Sequence, residues 1–421
     1  MEKLVIEGGR PLKGDVKISG SKNAALPILA ATLLTQDTCV IRNVPKLRDT
    51  MTMLRLLRSL GKIVEFHKNE VIISQRGKLS PVADYKLVST MRGSFCVMGP
   101  LLARLRQAQV SLPGGCVIGV RPVDLHLKGF QALGAKLRID GGYVYATAKQ
   151  LRGASIYLGG LFGSSVLATG NVMMAATLAK GLTVIESAAC EPEVTDLGNF
   201  LVAMGAKVTG QGTPQVTVHG VKHLHGAEYT IESDRIEAGT FMLAAAATHG
   251  DVTIHGTNFN ELFVLIDQLE KCGVKITRGK NTLRVKCLKK KMQPASVTTY
   301  PYPGFPTDLQ AQFMALMAVT PGLSVITEKV FPDRFIHIAE LNRMGASIRR
   351  EGNIAIIEGV KTLHGAPVMA SDLRASAALV IAGLAAAGRT EIHRVYHLER
   401  GYENMDAKLS KLGAKIYREK E

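Results

Sequence analysis

Several short segments carry residues whose types and spacing suit chemistry on phosphorylated compounds. In Ser19-Gly20-Ser21-Lys22-Asn23-Ala24-Ala25-Leu26-Pro27, a lysine and an asparagine stand where an alanine-rich helix should begin. The orphan N–H groups of a helix start favour anions, and an ammonium beside them strengthens that field. Ordinary helix capping is the other reading. The spacing is neither a Walker loop nor a GxGxxG after a strand. In Leu112-Pro113-Gly114-Gly115-Cys116-Val117-Ile118-Gly119 a cysteine sits on a glycine-flanked loop, and Arg121-Pro122-Val123-Asp124-Leu125-His126 follows. A thiol there, near a guanidinium, is placed to be exposed with a lowered pKa, as nucleophile or general acid. A loop cysteine of no consequence fits the same pattern.

Asp308 follows Pro303 and Pro306 and opens a helical segment, so N-capping competes with a catalytic role. Arg92, Arg374 and Arg400 stand in loops or helix starts beside small residues. Any one of them alone suits a surface ion pair. Together they could form a cationic site for two phosphorylated substrates.

The elements that must position these residues recur. An apolar residue, Gly and then usually Ala and Lys appear at Gly61, Gly134, Gly205, Gly273, Gly345 and Gly413, spaced by 73, 71, 68, 72 and 68 residues. Six units of about 70 residues fill the chain. Residues eight, four and one before each glycine share a helix face, as Met53, Leu57 and Leu60 do. Glycine then supplies the left-handed cap, and a β-rich stretch follows. A second, alanine-rich and presumptively buried helix is expected over 24–34, 172–180, 238–249, 310–319 and 375–387. The position eight before glycine is histidine only at His126 and His337, three units apart. That predicts two domains of three units, and a core or half-buried histidine in each.

Composition bounds the rest. With 421 residues, 46% apolar and 21% charged, the chain is globular and long enough for two or three domains. Its least polar stretch, Ala375–Gly388, is shorter than the roughly 20 residues a membrane helix needs. The start of the chain does not read as a secretory signal. The net charge is +17, from 52 Lys and Arg against 35 Asp and Glu, and attracts anions. The basic residues are scattered apart from Lys286-Cys287-Leu288-Lys289-Lys290-Lys291, and no aromatics interleave them as a single-strand binder requires. The six cysteines form no CxxC pair and no zinc-finger spacing, which fits a reducing cytoplasm; all but Cys116 read as small buried hydrophobes.

Lys22-Asn23-Ala24-Ala25-Leu26-Pro27, Pro113-Gly114-Gly115-Cys116, Arg121-Pro122-Val123-Asp124-Leu125, Phe305-Pro306-Thr307-Asp308, Ser371-Asp372-Leu373-Arg374 and Arg400-Gly401-Tyr402 occur together. With them the chain resembles the enolpyruvyl transferases over essentially its whole length, and in particular the branch that uses UDP-N-acetylglucosamine in peptidoglycan synthesis. The resemblance implies an α/β fold of two inside-out domains, each of three similar repeats. One would comprise residues 22–231 with the Cys loop, the other 1–21 and 232–421, with the active site in the cleft between them.

It further implies that the sugar 3′-hydroxyl attacks C2 of phosphoenolpyruvate, that C3 gains a proton, and that a tetrahedral phosphoketal then loses phosphate. Lys22, Arg121 and Arg400 would hold the phosphoenolpyruvate phosphate, with Arg92 and Arg374 nearby and Asp372 beside them. Asp308 would be the base. Cys116 would be the general acid or a covalent trap, and a target of the epoxide fosfomycin. Asn23 would orient the sugar, Arg121, Pro122, Val123, Asp124 and Leu125 would cradle the uridine, and Val330 would offer a backbone contact. Many relatives carry a lysine near Gly163; without it, the diphosphate would rest on backbone N–H groups around Ser165 and Val166, or on a lysine from elsewhere. No metal or organic cofactor, nucleic acid or membrane partner is implied. The sister activity on shikimate 3-phosphate lacks the Gly-Gly-Cys loop and the Arg-Pro-Val-Asp stretch. A non-catalytic paralogue should have lost Lys22, Cys116 or Asp308, and all three remain.

Overall fold

The computed structural model describes residues 2–114, 123–287 and 292–421. It divides into two units: residues 20–114 with 123–232, and residues 2–19 with 233–421. Each has its own apolar core.

Six four-stranded sheets repeat one topology, three in each unit. A short edge strand is followed by a buried helix, a strand parallel to the edge, an amphipathic helix and an antiparallel pair. In the second repeat these are Val82–Ala83, Met98–Leu105, Gln107–Ser111, Asp124–Ala132, Lys136–Asp140 and Tyr143–Thr147. Distant chain completes three of the sheets. Glu2–Glu7 lies between Arg389–His393 and Lys415–Lys420, Lys13–Lys17 pairs in parallel with Asp251–His255, and Glu228–Thr230 pairs in parallel with Cys39–Arg42.

The helix periods explain the layers. In Arg48–Ser59, Met53, Leu54, Leu56 and Leu57 are buried while Arg55 and Arg58 face outward. Burying each such side chain contributes about 1.5–3 kcal/mol. The six repeat glycines all adopt φ between 89° and 103°, the left-handed stop that ends this helix. The alanine-rich helices are apolar on every side. Arg235–Ala247 and Gln310–Ala318 are buried at every position, so these helices form the interior and the amphipathic helices and sheets cover them.

The expected helix at 172–180 instead spans Val166–Ala176, because Ser165 caps it by accepting the Ala168 N–H. The others run Lys22–Ala31, Arg235–Ala247, Gln310–Ala318 and Leu373–Ala385. A sixth buried helix, Met98–Leu105, follows a 3-10 segment Arg92–Val97. It is short and carries one alanine, so alanine content did not reveal it. A Cβ at its Gly99 would lie 2.3 Å from the Asn171 carbonyl oxygen, so only glycine permits this helix approach. Of the cysteines read as buried, Cys39, Cys96, Cys272 and Cys287 are so, whereas Cys190 is half-buried.

Candidate active site

In the unit containing residues 233–421, the candidate residues gather at the first turns of the buried helices. Asp308 lies in the 3-10 turn Thr307–Leu309 that leads into Gln310–Ala318. It does not cap that turn, whose N-cap is Pro306. Instead Arg334 Nη1 donates to Asp308 Oδ1 at 2.8 Å, and Arg374 Nη2 donates to Oδ2 at 2.9 Å. Burial works to raise the Asp308 pKa, but the charges of Arg374 and Arg334 outweigh it and hold the carboxyl well below its usual range. Both guanidiniums are almost wholly buried, while 27% of the Asp308 side chain is accessible.

Arg374 stands in the first turn of Leu373–Ala385, capped by Asp372, which accepts the N–H groups of Arg374 and Ala375. Arg374 Nη1 and Gln312 Nε2 both donate to the Tyr402 hydroxyl, at 3.2 and 3.1 Å. Thr240, 2.9 Å from the same oxygen, already donates to the Ile236 carbonyl. The Tyr402 proton therefore goes to Thr240. One tyrosine thus joins the early turns of all three buried helices of the unit.

Behind Arg334 lies the fully buried Glu328. It accepts the Thr299 hydroxyl at 2.6 Å, the Val330 and Phe331 N–H groups at 2.8 and 2.9 Å, and the Thr307 hydroxyl at 2.9 Å. Thr307 in turn accepts from Arg334 at 3.1 Å. The Val330 backbone is thereby fixed through its N–H. Arg400 ends the 3-10 segment Val395–Arg400 and is half-buried. His337 is buried and pushed down to about 4, chiefly by burial, so it is neutral.

In the unit built on residues 20–232, Lys22 and Asn23 open Lys22–Ala31, capped by Ser21. Lys22 Nζ lies 2.6 Å from Asp49 Oδ2, and both side chains are about nine-tenths buried. Arg92 opens the 3-10 segment that leads into Met98–Leu105. Ser165 and Val166 open Val166–Ala176. Val123 and Asp124 begin Asp124–Ala132, and Leu125 is half-buried beside the Gly160 turn. Gly160 and Gly163 exchange backbone hydrogen bonds, and Gly163 has φ of 95°. A side chain at Gly163 would be strained in this backbone conformation.

His126 is buried edge-on to Phe95 and 3.0 Å from Asn171 Nδ2. Asn171 Oδ1 accepts the Gly99 N–H, so its amide nitrogen faces the ring and the His126 Nδ1 accepts. Burial, then the charge of Arg92, drive His126 to about 3. Both histidines are thus neutral core groups.

Cys116, Arg121 and Pro122 lie outside the described residues. Among the rest, Asp308, Arg374 and Asp372 come together, while Lys22, Asn23 and Arg92 belong to the other unit. Sequence reasoning passed over Arg334, Glu328, Tyr402 and Asp49. Arg400-Gly401-Tyr402 was visible as a motif, but nothing in its spacing announced the partners of Tyr402.

Residues 6–409 match the family described as EPSP synthase (3-phosphoshikimate 1-carboxyvinyltransferase). The chain is 54% identical over 418 residues, covering 99% of both chains, to a UDP-N-acetylglucosamine 1-carboxyvinyltransferase of Methylacidiphilum infernorum. It is 51% identical over 421 residues to the protein of that name from Desulfovibrio desulfuricans, covering 100% of both. Among solved structures it is similar to the enolpyruvyl transferase NikO of Streptomyces tendae, with a TM-score of 0.89 and 25% identity over 99% of this chain and 98% of that one. The fold also matches an EPSP synthase of Acinetobacter baumannii, at a TM-score of 0.76 and 20% identity over 100% of both chains.

Proposed function

The chain belongs to the enolpyruvyl transferase family, and we propose that it transfers the enolpyruvyl group of phosphoenolpyruvate to the 3′-hydroxyl of UDP-N-acetylglucosamine, releasing phosphate. This is the entry step of peptidoglycan precursor synthesis, with both substrates taken from the cytoplasm. The acceptor is carried by one observation: identity of 51–54% over essentially full length to relatives named for the UDP-sugar. Relatives named for the shikimate reaction share the fold at 20% identity.

The chemistry calls on residues of both units. Lys22, oriented by Asp49, together with Arg92, Arg121 and Arg400 would bind the phosphate and carboxylate of phosphoenolpyruvate. Preorganised cations of this kind stabilise the departing phosphate. Asn23 would orient the sugar, and Val123, Asp124, Leu125, Ser165 and Val166 would meet the uridine diphosphate. Asp308 would take the 3′-hydroxyl proton, and Cys116 would deliver a proton to C3.

Asp308 paired to two guanidiniums is a weak base, since a carboxylate held far below neutrality accepts protons poorly. An anionic substrate that engages Arg374 would share its charge and raise the basicity of Asp308. The base would then be switched on by substrate.

The test is phosphate release from phosphoenolpyruvate with UDP-N-acetylglucosamine, run beside shikimate 3-phosphate. Release with the UDP-sugar alone supports the reading. Release with shikimate 3-phosphate alone, or with neither, overturns it.

A further inference from the structure

A group of soft donor atoms lies in the unit of residues 233–421, apart from every residue used above. His249 follows the buried helix Arg235–Ala247 in a left-handed conformation, φ 51°. Cys287 follows the strand Thr282–Lys286, and its N–H donates to the Gly250 carbonyl. Met292 lies a short way further on, where the Gln293 N–H donates to the Cys272 carbonyl. These backbone bonds bring three side chains together. His249 Nδ1 is 3.4 Å from Cys287 Sγ, and Cys287 Sγ is 3.4 Å from Met292 Sδ.

We propose that His249, Cys287 and Met292 form a site for one soft monovalent cation, of the copper(I) or silver(I) class. An imidazole, a thiolate and a thioether are the donors that such ions prefer over carboxylate-binding ions. With metal–sulfur and metal–nitrogen bonds of about 2.3 and 2.0 Å, as for zinc, the two 3.4 Å spacings subtend about 95° and about 104° at the ion. Both lie within about 15° of the tetrahedral angle.

Charge selects the valence. Cys287 Sγ donates to Met292 Sδ, a group that can only accept, so the thiol carries its proton when the site is empty. Binding replaces the S–H proton with the ion: the S–H bond breaks, the S–metal bond forms, and H⁺ leaves to water. A monovalent ion thus leaves the buried charge unchanged, whereas a divalent ion adds one uncompensated positive charge. His249 and Met292 are half-buried, which leaves a route from solvent. No trio of His, Cys, Asp or Glu among the described residues is arranged to hold a metal; this group differs in taking a thioether as its third donor.

The test is anaerobic titration of the full chain with copper(I) against a chromogenic chelator, with zinc(II) in parallel. The expected result is one tightly held copper(I) per chain, one proton released, and zinc held far more weakly. Cys116→Ser should keep that ion and Cys287→Ser should lose it. Met292→Leu and His249→Gln, which leave the thiol in place, should each weaken it about tenfold or more, a scale at which even an outer partner of a metal ligand is felt. Undiminished binding in Cys287→Ser would overturn the proposal. So would wild-type affinity in both Met292→Leu and His249→Gln, since a thiol alone would then suffice, and so would equal affinity for zinc.

Discussion

The two units share one repeated scaffold but hold their buried charges differently. In one, Lys22 and Asp49 pair at the start of a buried helix. In the other, the single carboxylate of Asp308 lies between Arg334 and Arg374. The first locks an ammonium in place. In the second, two guanidiniums share one carboxylate and also feel Asp372 and Asp234. The comparison teaches that helix starts provide the location, and the way the charges placed there are paired sets the task. Buried pairs are weak evidence for stability, but removing one partner strands the other at a cost of about 3–5 kcal/mol.

Asp308→Ala breaks the contrast most severely. Two buried guanidiniums would then lose the carboxylate they share. Stability should fall by about 3–5 kcal/mol in denaturant unfolding, and phosphate release should fall by a factor on the order of 10²–10⁴. Asp49→Ala is the counterpart in the other unit. Lys22 reaches solvent more readily than the arginines do, so the loss should lie at or below the low end, about 3 kcal/mol. Because Asp49 acts through Lys22, the kinetic defect should be a raised KM for phosphoenolpyruvate with a smaller change in kcat.

Tyr402→Phe removes one hydroxyl that meets Thr240, Gln312 and Arg374. Leaving these buried groups short of a partner should cost about 1–3 kcal/mol, with the guanidinium still paired to Asp308. A larger loss of turnover than of stability would show that the tyrosine also aims Arg374.

The smallest effects at neutral pH are those of the titrating groups. His126 is held at about 3 and His337 at about 4, each chiefly by burial, against a usual 6.5. Their stabilising share is present above pH 6.5 and is lost as pH falls towards those values. Asp196, driven up from 3.8 to about 6 chiefly by burial, acts oppositely: its share is present at low pH and is lost as pH rises through about 6. In thermal unfolding followed over a pH series, His126→Gln should flatten the acid decline. Asp196→Asn should flatten the loss towards neutrality.

The repeat was legible because glycine caps and helical spacing are local signals, and all six glycines took the left-handed turn. The buried helices were legible from alanine content except Met98–Leu105, whose short length and single alanine hid it. The site was half legible. Asp308 and Arg374 stood out at helix starts, but Arg334 and Glu328 enter through contacts that no local pattern encodes. Tyr402 was visible beside Arg400 without its three partners. Asp49 sits in the first turn of an amphipathic helix, where acidic residues are common on dipole grounds alone, so its pairing with Lys22 left no trace in spacing.

The central claim is that Asp308 serves the reaction as a proton acceptor rather than only as a counter-ion for two arginines. Asp308→Asn keeps the shape and removes both the charge and the basicity. The direct measurement is single-turnover phosphate release by this variant, with UDP-N-acetylglucosamine binding measured by calorimetry on the same sample. Near-unchanged sugar binding with release reduced by a factor on the order of 10² or more is the predicted result. Release at a rate close to that of the unaltered protein would contradict it.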